Sequence, residues 1–168
     1  MFAVALILSG ITVPAVGTFT KMSRATAAAR MVERQLQMAR LKAVTISRSM
    51  RVRFNCPGAG QLRLLELTGV ATTDNSSSRC SPVTYPSPGP LDSLRSTPAN
   101  DSPVIVLPPG TTVTGSALQF EFNPTGQTYT VAANGTVTAI DTDIVLTVTR
   151  TNFPKTITIN GLGRVRLN

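Results

Sequence analysis

The first 20 residues contain no charged side chain, and apolar residues dominate the first 17. A helix that spans a membrane needs roughly 20 apolar residues, so this segment is short by about one turn. Pro14 lies inside it and predicts a kink, because proline cannot donate the helical hydrogen bond. We predict a membrane helix segment over residues 1–20, whose anchoring positions are Phe2, Leu6, Ile7, Ile11 and Pro14.

From Met22 onward the apolar positions follow a helical period. Nine of them, separated by alternating steps of three and four residues, fall on one stripe of a helix: Met22, Ala25, Ala29, Val32, Leu36, Ala39, Ala43, Ile46 and Met50. We therefore predict an amphipathic helix over residues 21–52, continuous with the apolar segment. Seven basic residues and a single acid, Glu33, surround the stripe. A solvated helix face is the first interpretation of these charges, and a binding face is the alternative.

After Arg51 the period of the apolar positions changes to two, which is typical of strands. The strand patterns are 51–56, 61–67, 104–107, 118–122, 128–132, 136–140, 144–150, 156–159 and 164–167. A long loop rich in Ser and Pro, residues 68–103, interrupts them. Asn160-Gly161-Leu162-Gly163 is a good turn for a final hairpin. We predict an α+β fold, in which the long N-terminal helix packs on a mostly antiparallel β domain over residues 53–168.

The chain carries 16 Lys and Arg against eight Asp and Glu, a net charge of +8. Such an excess favours a polyanionic partner, either nucleic acid or an anionic membrane surface. The alternative is a charge that serves solubility alone.

The chain has two cysteines, Cys56 and Cys80. We predict that they form a disulfide in an oxidising compartment, with two unpaired buried thiols as the alternative. Closing a loop of about 25 residues would stabilise the fold by about 3.5 kcal/mol in the chain-entropy treatment.

The absence of histidine excludes a His-based catalytic triad, an imidazole proton shuttle and a histidine metal ligand. No glycine-rich phosphate-binding loop occurs. Asp141 and Asp143 alternate in the sequence, but two carboxylates are too few for a calcium site. We therefore predict that the protein is not an enzyme and has no metal, cofactor or small-molecule substrate.

Three stretches carry a family resemblance: Gln37-Met38-Ala39-Arg40-Leu41-Lys42-Ala43-Val44, Phe120-Glu121-Phe122-Asn123-Pro124-Thr125-Gly126, and the ending Ile157-Thr158-Ile159-Asn160-Gly161-Leu162-Gly163-Arg164-Val165-Arg166. In that order they resemble the ARxxA stretch of the helix, the F.P.G strand and turn, and the terminal GRxR strand of the GspH/FimT group. That group comprises minor type IV pilins and type II secretion pseudopilins.

The beginning of the sequence departs from that group. Its members have a short basic leader, a peptidase cleavage site and a glutamate early in the apolar segment. Aligned on Pro14, this sequence starts inside the expected helix, so we expect a preceding segment to be missing. Lys21, Arg24 and Arg30 would hold the β domain in the cytoplasm by the positive-inside rule, whereas a disulfide favours the periplasm. A basic leader would supply the opposing charge, and we predict a single-pass inner-membrane protein with a periplasmic β domain.

The resemblance implies a structural subunit that assembles with other pilin or pseudopilin subunits into a filament. The GRxR form is associated with DNA-binding, competence-related members, and so implies non-specific DNA binding during natural transformation. The competing interpretation is an H-type minor pseudopilin of a type II secretion system with no DNA role.

In an extended strand Arg164 and Arg166 point the same way, about 6.6 Å apart, while Val165 and Leu167 point into the core. Their spacing suits neighbouring phosphates of one DNA strand. Gly161 and Gly163 would leave the approach to them uncrowded. Two further cations, Lys155 and Arg150, would extend this DNA-binding patch. The alternative is that charges on a terminal strand only protect its edge from unwanted pairing.

Overall fold

The structure of the protein, a computed structural model, describes residues 2–81 and 101–168, with side chains from residue 17 onward in the first range. Its elements are, in chain order, α1 Phe2–Ile46, β1 Met50–Phe54, β2 Gln61–Glu66, α2 Ala71–Asp74, a 3₁₀ turn Ser77–Cys80, β3 Ile105–Val106, β4 Thr111–Gly115, β5 Gln119–Phe122, β6 Thr128–Val131, β7 Val137–Ala139, β8 Ile144–Arg150, β9 Phe153–Ile159 and β10 Val165–Leu167. The predicted α+β fold is confirmed.

The strands form two antiparallel sheets. The larger has the order β3-β2-β1-β5-β6-β7, and the smaller has the order β10-β9-β8-β4. Helix α1 packs on both sheets, against β1 and β5 of the larger and β8, β9 and β10 of the smaller. The terminal strand β10 is therefore an edge strand that lies beside the helix.

The predicted apolar stripe of α1 supplies the helical side of the core. Ala25, Ala29, Val32 and Leu36 are fully buried, and so are the last two alanines of the stripe, Ala39 and Ala43. Small side chains let the helix approach the sheets closely, so that it contacts Leu146, Ile157 and other strand residues of one continuous core. The first member of the stripe, Met22, is half exposed.

Helix α1 ends at Ile46, six residues before the predicted boundary. Ser47 adopts a left-handed conformation with φ 53°, and the amides of Ser47 and Arg48 donate to the carbonyls of Val44 and Ala43. This is a Schellman-type C-cap, which turns the chain out of the helix. Met50, the ninth apolar position, is buried as the first residue of β1 instead.

The predicted disulfide between Cys56 and Cys80 is present, with a Cα–Cα distance of 5.0 Å. It ties the 3₁₀ turn to the end of β1, inside the first part of the predicted loop 68–103. That part also contains α2, and residues 82–100 of the loop lie outside the described residues.

Two arginines are buried where this segment packs on the larger sheet. Arg63 is 0% exposed and donates to the carbonyls of Ser102, Arg79 and Ser81. Arg79 is 1% exposed and forms ion pairs with Asp74 at 2.8 Å and Asp101 at 3.3 Å.

A further buried cation, Arg51 of β1, pairs with Glu121 of β5 at 3.1 Å. Burial, followed by the proximity of Arg51 and Arg79, lowers the pKa of Arg53 from its usual value. The segment 71–81 covers the face of the sheet from which Arg51, Arg53 and Arg63 project.

Candidate nucleic-acid interface

The C-terminal hairpin joins β9 to β10 through residues 160–163. Asn160 closes the turn, because its backbone amide donates to the Arg164 carbonyl at 3.1 Å and its side-chain oxygen accepts from the Arg164 amide at 2.9 Å. The Gly163 amide donates to the Asn160 carbonyl at 3.0 Å. The backbone on either side of Arg164 is thus fixed by hydrogen bonds.

Strand β10 alternates as its sequence predicts. Val165 is buried, Leu167 packs against the core, and Arg164 and Arg166 are exposed. Arg166 lies opposite Thr158 of β9.

Arg164 and Arg166 line one shallow groove of about 220 Å³. Its other lining residues are Thr158, Asn160, Asn168 and Asp143. Neither guanidinium group has a hydrogen bond or an ion pair with any residue in the described part of the chain. Two unpaired cations therefore face a groove in which Asp143 is the acidic side chain.

Lys155 and Arg150 do not extend this groove. In the register of β8 and β9, Lys155 lies opposite the buried Val148, so both side chains leave the sheet on the side that α1 covers. Arg150 lies on the same side and donates to the carbonyls of Pro109 and Arg24. The structure therefore separates these two cations from the Arg164–Arg166 pair, which lies on the opposite face of the sheet.

Gly163 has a different role from the one that the sequence suggested. It is buried with φ +77°, and a Cβ there would collide with the Gly126 carbonyl and come within 2.5 Å of Arg40 Nε. A Cβ at Gly161 would collide with the Ile140 carbonyl. The space beside these glycines is filled by the protein itself, so they are required for packing and not for access to the arginines.

Three sequence stretches meet at this point. Arg40 of α1 donates from Nε to the Gly126 carbonyl at 3.2 Å and from Nη2 to the Leu162 carbonyl at 3.3 Å. The helix, the turn after β5 and the turn before β10 are joined by one side chain. Sequence reasoning placed Arg40 among solvated cations and missed this contact, although all three stretches belong to the family resemblance.

A profile of the family described as "Type II transport protein GspH" matches residues 28–163, which include the second half of α1 and the first nine strands. The chain belongs to the GspH family. The predicted membership of the minor pilin and pseudopilin group is confirmed. The match ends at Gly163, one residue before Arg164, so it does not include the two arginines.

Solved structures of similar fold come from the same group. The type IV minor pilin FimU of Pseudomonas aeruginosa has 16% sequence identity and a TM-score of 0.52, over 89% of this chain and 92% of FimU. The minor pseudopilin EpsH of the Vibrio cholerae type 2 secretion system has 14% identity and a TM-score of 0.49, over 86% of this chain and 96% of EpsH. At these identities the likeness concerns the fold alone. No curated protein matched the sequence.

The positive charge of this GspH-family chain is concentrated on its helix. Seven basic residues against Glu33 leave six of the eight excess charges on residues 21–48. Arg30 and Arg34 are exposed there and have no hydrogen bond or ion pair with the described residues. Among the described residues, four acids of the β domain form ion pairs with arginines: Glu66, Asp74, Asp101 and Glu121.

The predicted membrane positions Phe2, Leu6, Ile7, Ile11 and Pro14 lie outside the residues whose side chains are described. Within the described part of the chain, no helix combines the length and apolarity that crossing a membrane requires.

Proposed function

We propose that this protein is a minor pilin-like subunit of a type IV filament that binds DNA non-specifically through Arg164 and Arg166 during DNA uptake. The observation that carries the proposal is the pair of exposed guanidinium groups in one groove, neither of which is used by the described residues. Arg40 and Arg150, by contrast, donate hydrogen bonds within the fold.

The chemistry of the groove suits a phosphate backbone. Arginine presents a planar fork of donors that matches phosphate oxygens, and such contacts position a protein on DNA without selecting a sequence. Asn160 and Asn168 line the same groove, and side-chain amides of this kind donate hydrogen bonds to phosphate oxygens. The Asp143 carboxylate would repel a phosphate in the groove, so we expect weak DNA binding that depends strongly on salt.

Assembly with other pilin subunits is supported by the exposed side of α1. Phe19, Met22, Met38, Leu41 and Val44 are large apolar side chains that the described β domain leaves uncovered. Clusters of exposed apolar side chains are typical of protein interfaces. In this proposal the first 20 residues anchor the subunit in the inner membrane before assembly, and the disulfide-bonded β domain lies in the periplasm.

The alternative is a minor pseudopilin of a type II secretion system that never contacts DNA. The same exposed apolar side chains of α1 would serve its contacts with other pseudopilins. The two functions differ in whether the intact protein binds DNA at all.

The test measures the affinity of the full chain for a random-sequence duplex by fluorescence anisotropy. We expect Arg164→Ala/Arg166→Ala to bind at least about tenfold more weakly than the wild type, because two charge-assisted phosphate contacts are lost. Arg30→Ala/Arg34→Ala is the matched control, since it removes the same charge from exposed positions of α1. Equal losses in both variants would show a diffuse charge effect and contradict the assigned site. A wild type that does not bind supports the secretion alternative.

A further inference from the structure

The open edge of β10 is held by the helix. The Asn168 backbone amide donates to the Thr156 carbonyl of β9, and the Arg164 carbonyl accepts from the Asn160 backbone amide. In an antiparallel pair the intervening residues Val165 and Leu167 therefore direct their backbone groups away from β9. The Leu167 amide meets the carboxylate of Glu33 on α1, with a distance of 3.2 Å from N to Oε1.

Glu33 and Arg40 hold the two ends of the segment that carries both arginines. Arg40 binds the Leu162 carbonyl just before the segment, and Glu33 binds the Leu167 amide at its end. The two helix residues are seven positions apart, which is two turns, so they project from the same side of α1. Glu33 is also the only acid between residues 1 and 65. The one carboxylate of this basic stretch accepts its hydrogen bond from the Leu167 backbone amide of β10.

We infer that Glu33 and Arg40 are positioning residues, which fix the path of residues 162–167 so that Arg164 and Arg166 face the same groove. This inference rests on the proposed DNA-binding function. Without the two contacts, β10 would keep its hydrogen bonds to β9 and the core packing of Val165 and Leu167, but its outer edge would be unpaired, and such an edge strand frays more readily. Fraying would separate the two guanidinium groups without removing either of them.

Two pairs of variants separate positioning from charge, each measured as the full chain. Glu33→Gln and Glu33→Ala make the same change in charge, but only Gln keeps an oxygen that can accept from the Leu167 amide. We expect Glu33→Ala to bind DNA about 3- to 10-fold more weakly than Glu33→Gln. Arg40→Ala and Arg34→Ala likewise lose one cation each, and we expect the loss for Arg40→Ala to be larger by a similar factor. Equal affinities within both pairs would overturn the inference.

A double-mutant cycle shows whether the effect acts through the arginines. In the Arg164→Ala/Arg166→Ala background, Glu33→Ala and Glu33→Gln should bind DNA equally, because nothing remains to be positioned. A difference that persists in that background would assign Glu33 a general structural role and overturn the inference.

Hydrogen exchange separates failure of this inference from failure of the proposed function. We expect the Leu167 amide to exchange faster in Glu33→Ala than in Glu33→Gln. If the wild type binds no DNA, the proposed function fails, and faster exchange still supports the positioning contact. Unchanged exchange at Leu167 overturns the positioning contact whatever the DNA affinity.

Discussion

At position 163 the absence of a side chain lets three backbone segments meet. The Gly126 carbonyl, the Arg40 side chain and the Gly163 backbone share a space in which a Cβ has no room. From this space Arg40 donates hydrogen bonds to the carbonyls of Gly126 and Leu162. The glycine of the terminal motif therefore packs inside the protein, whereas its two arginines are exposed.

Gly163→Ala should lower the free energy of unfolding by about 2–4 kcal/mol, through the left-handed φ and the collision together. Gly110→Ala is the matched control, because Gly110 has nearly the same φ, +75°, and no atom lies within 4 Å of the place that a Cβ would occupy. That control should lose only about 1 kcal/mol. Urea unfolding of both variants measures the difference, and similar losses would contradict the packing role.

The exposure of Arg164 and Arg166 could be predicted from the sequence because it depends on local alternation with Val165 and Leu167. The burial of Arg51 and Arg63 could not, because it depends on a segment more than ten residues away that folds over them. The same holds for Arg40, whose partners are 86 and 122 residues away along the chain.

Among the elements, the end of α1 is set by a serine in a conformation that glycine adopts at lower cost. Ser47 has φ 53°, and its amide and that of Arg48 close the C-cap. The apolar period continues through Met50, so periodicity alone extended the helix beyond the cap. The apolar spacing is a strong signal that the helix continues. Ser47 is a weak signal that it ends, because the residue at this cap position is usually glycine.

Ser47→Gly should raise the free energy of unfolding by about 0.5–1 kcal/mol, because glycine has no Cβ to oppose the left-handed conformation. Ser47→Ala is the control, since it removes the hydroxyl and keeps the Cβ; it should give no gain. Thermal unfolding of the two variants is sufficient. A loss of stability in Ser47→Gly would mean that the cap is not a source of strain.

The strands were predictable to different degrees. The hairpin of β9 and β10 follows from its turn and its alternation, but β4 was missed because Val113 is the only large apolar residue in a threonine-rich segment. Strand β9 also begins earlier than predicted, at Phe153. Pro154 is tolerated there because β10 does not reach that part of β9, so no neighbouring strand needs its amide.

For the whole molecule, the distribution of charge matters more than its total. The β domain neutralises buried arginines with its own acids, and residues 21–48 carry six of the eight excess charges. The net charge of +8 is therefore weak evidence for DNA binding by the C-terminal groove. The α+β class and the disulfide were predictable from local patterns, but the two-sheet topology was not, because pairs such as Arg51 with Glu121 join distant segments.

The central claim is that Arg164 and Arg166 bind DNA phosphates, and the salt dependence of DNA affinity tests it most directly. Each phosphate contact contributes about 0.9 to the slope of log affinity against log salt concentration on duplex DNA. The slope should therefore fall by about 1.8 from the wild type to Arg164→Ala/Arg166→Ala. A double variant with the wild-type slope would show that neither arginine binds a phosphate, and would contradict the account.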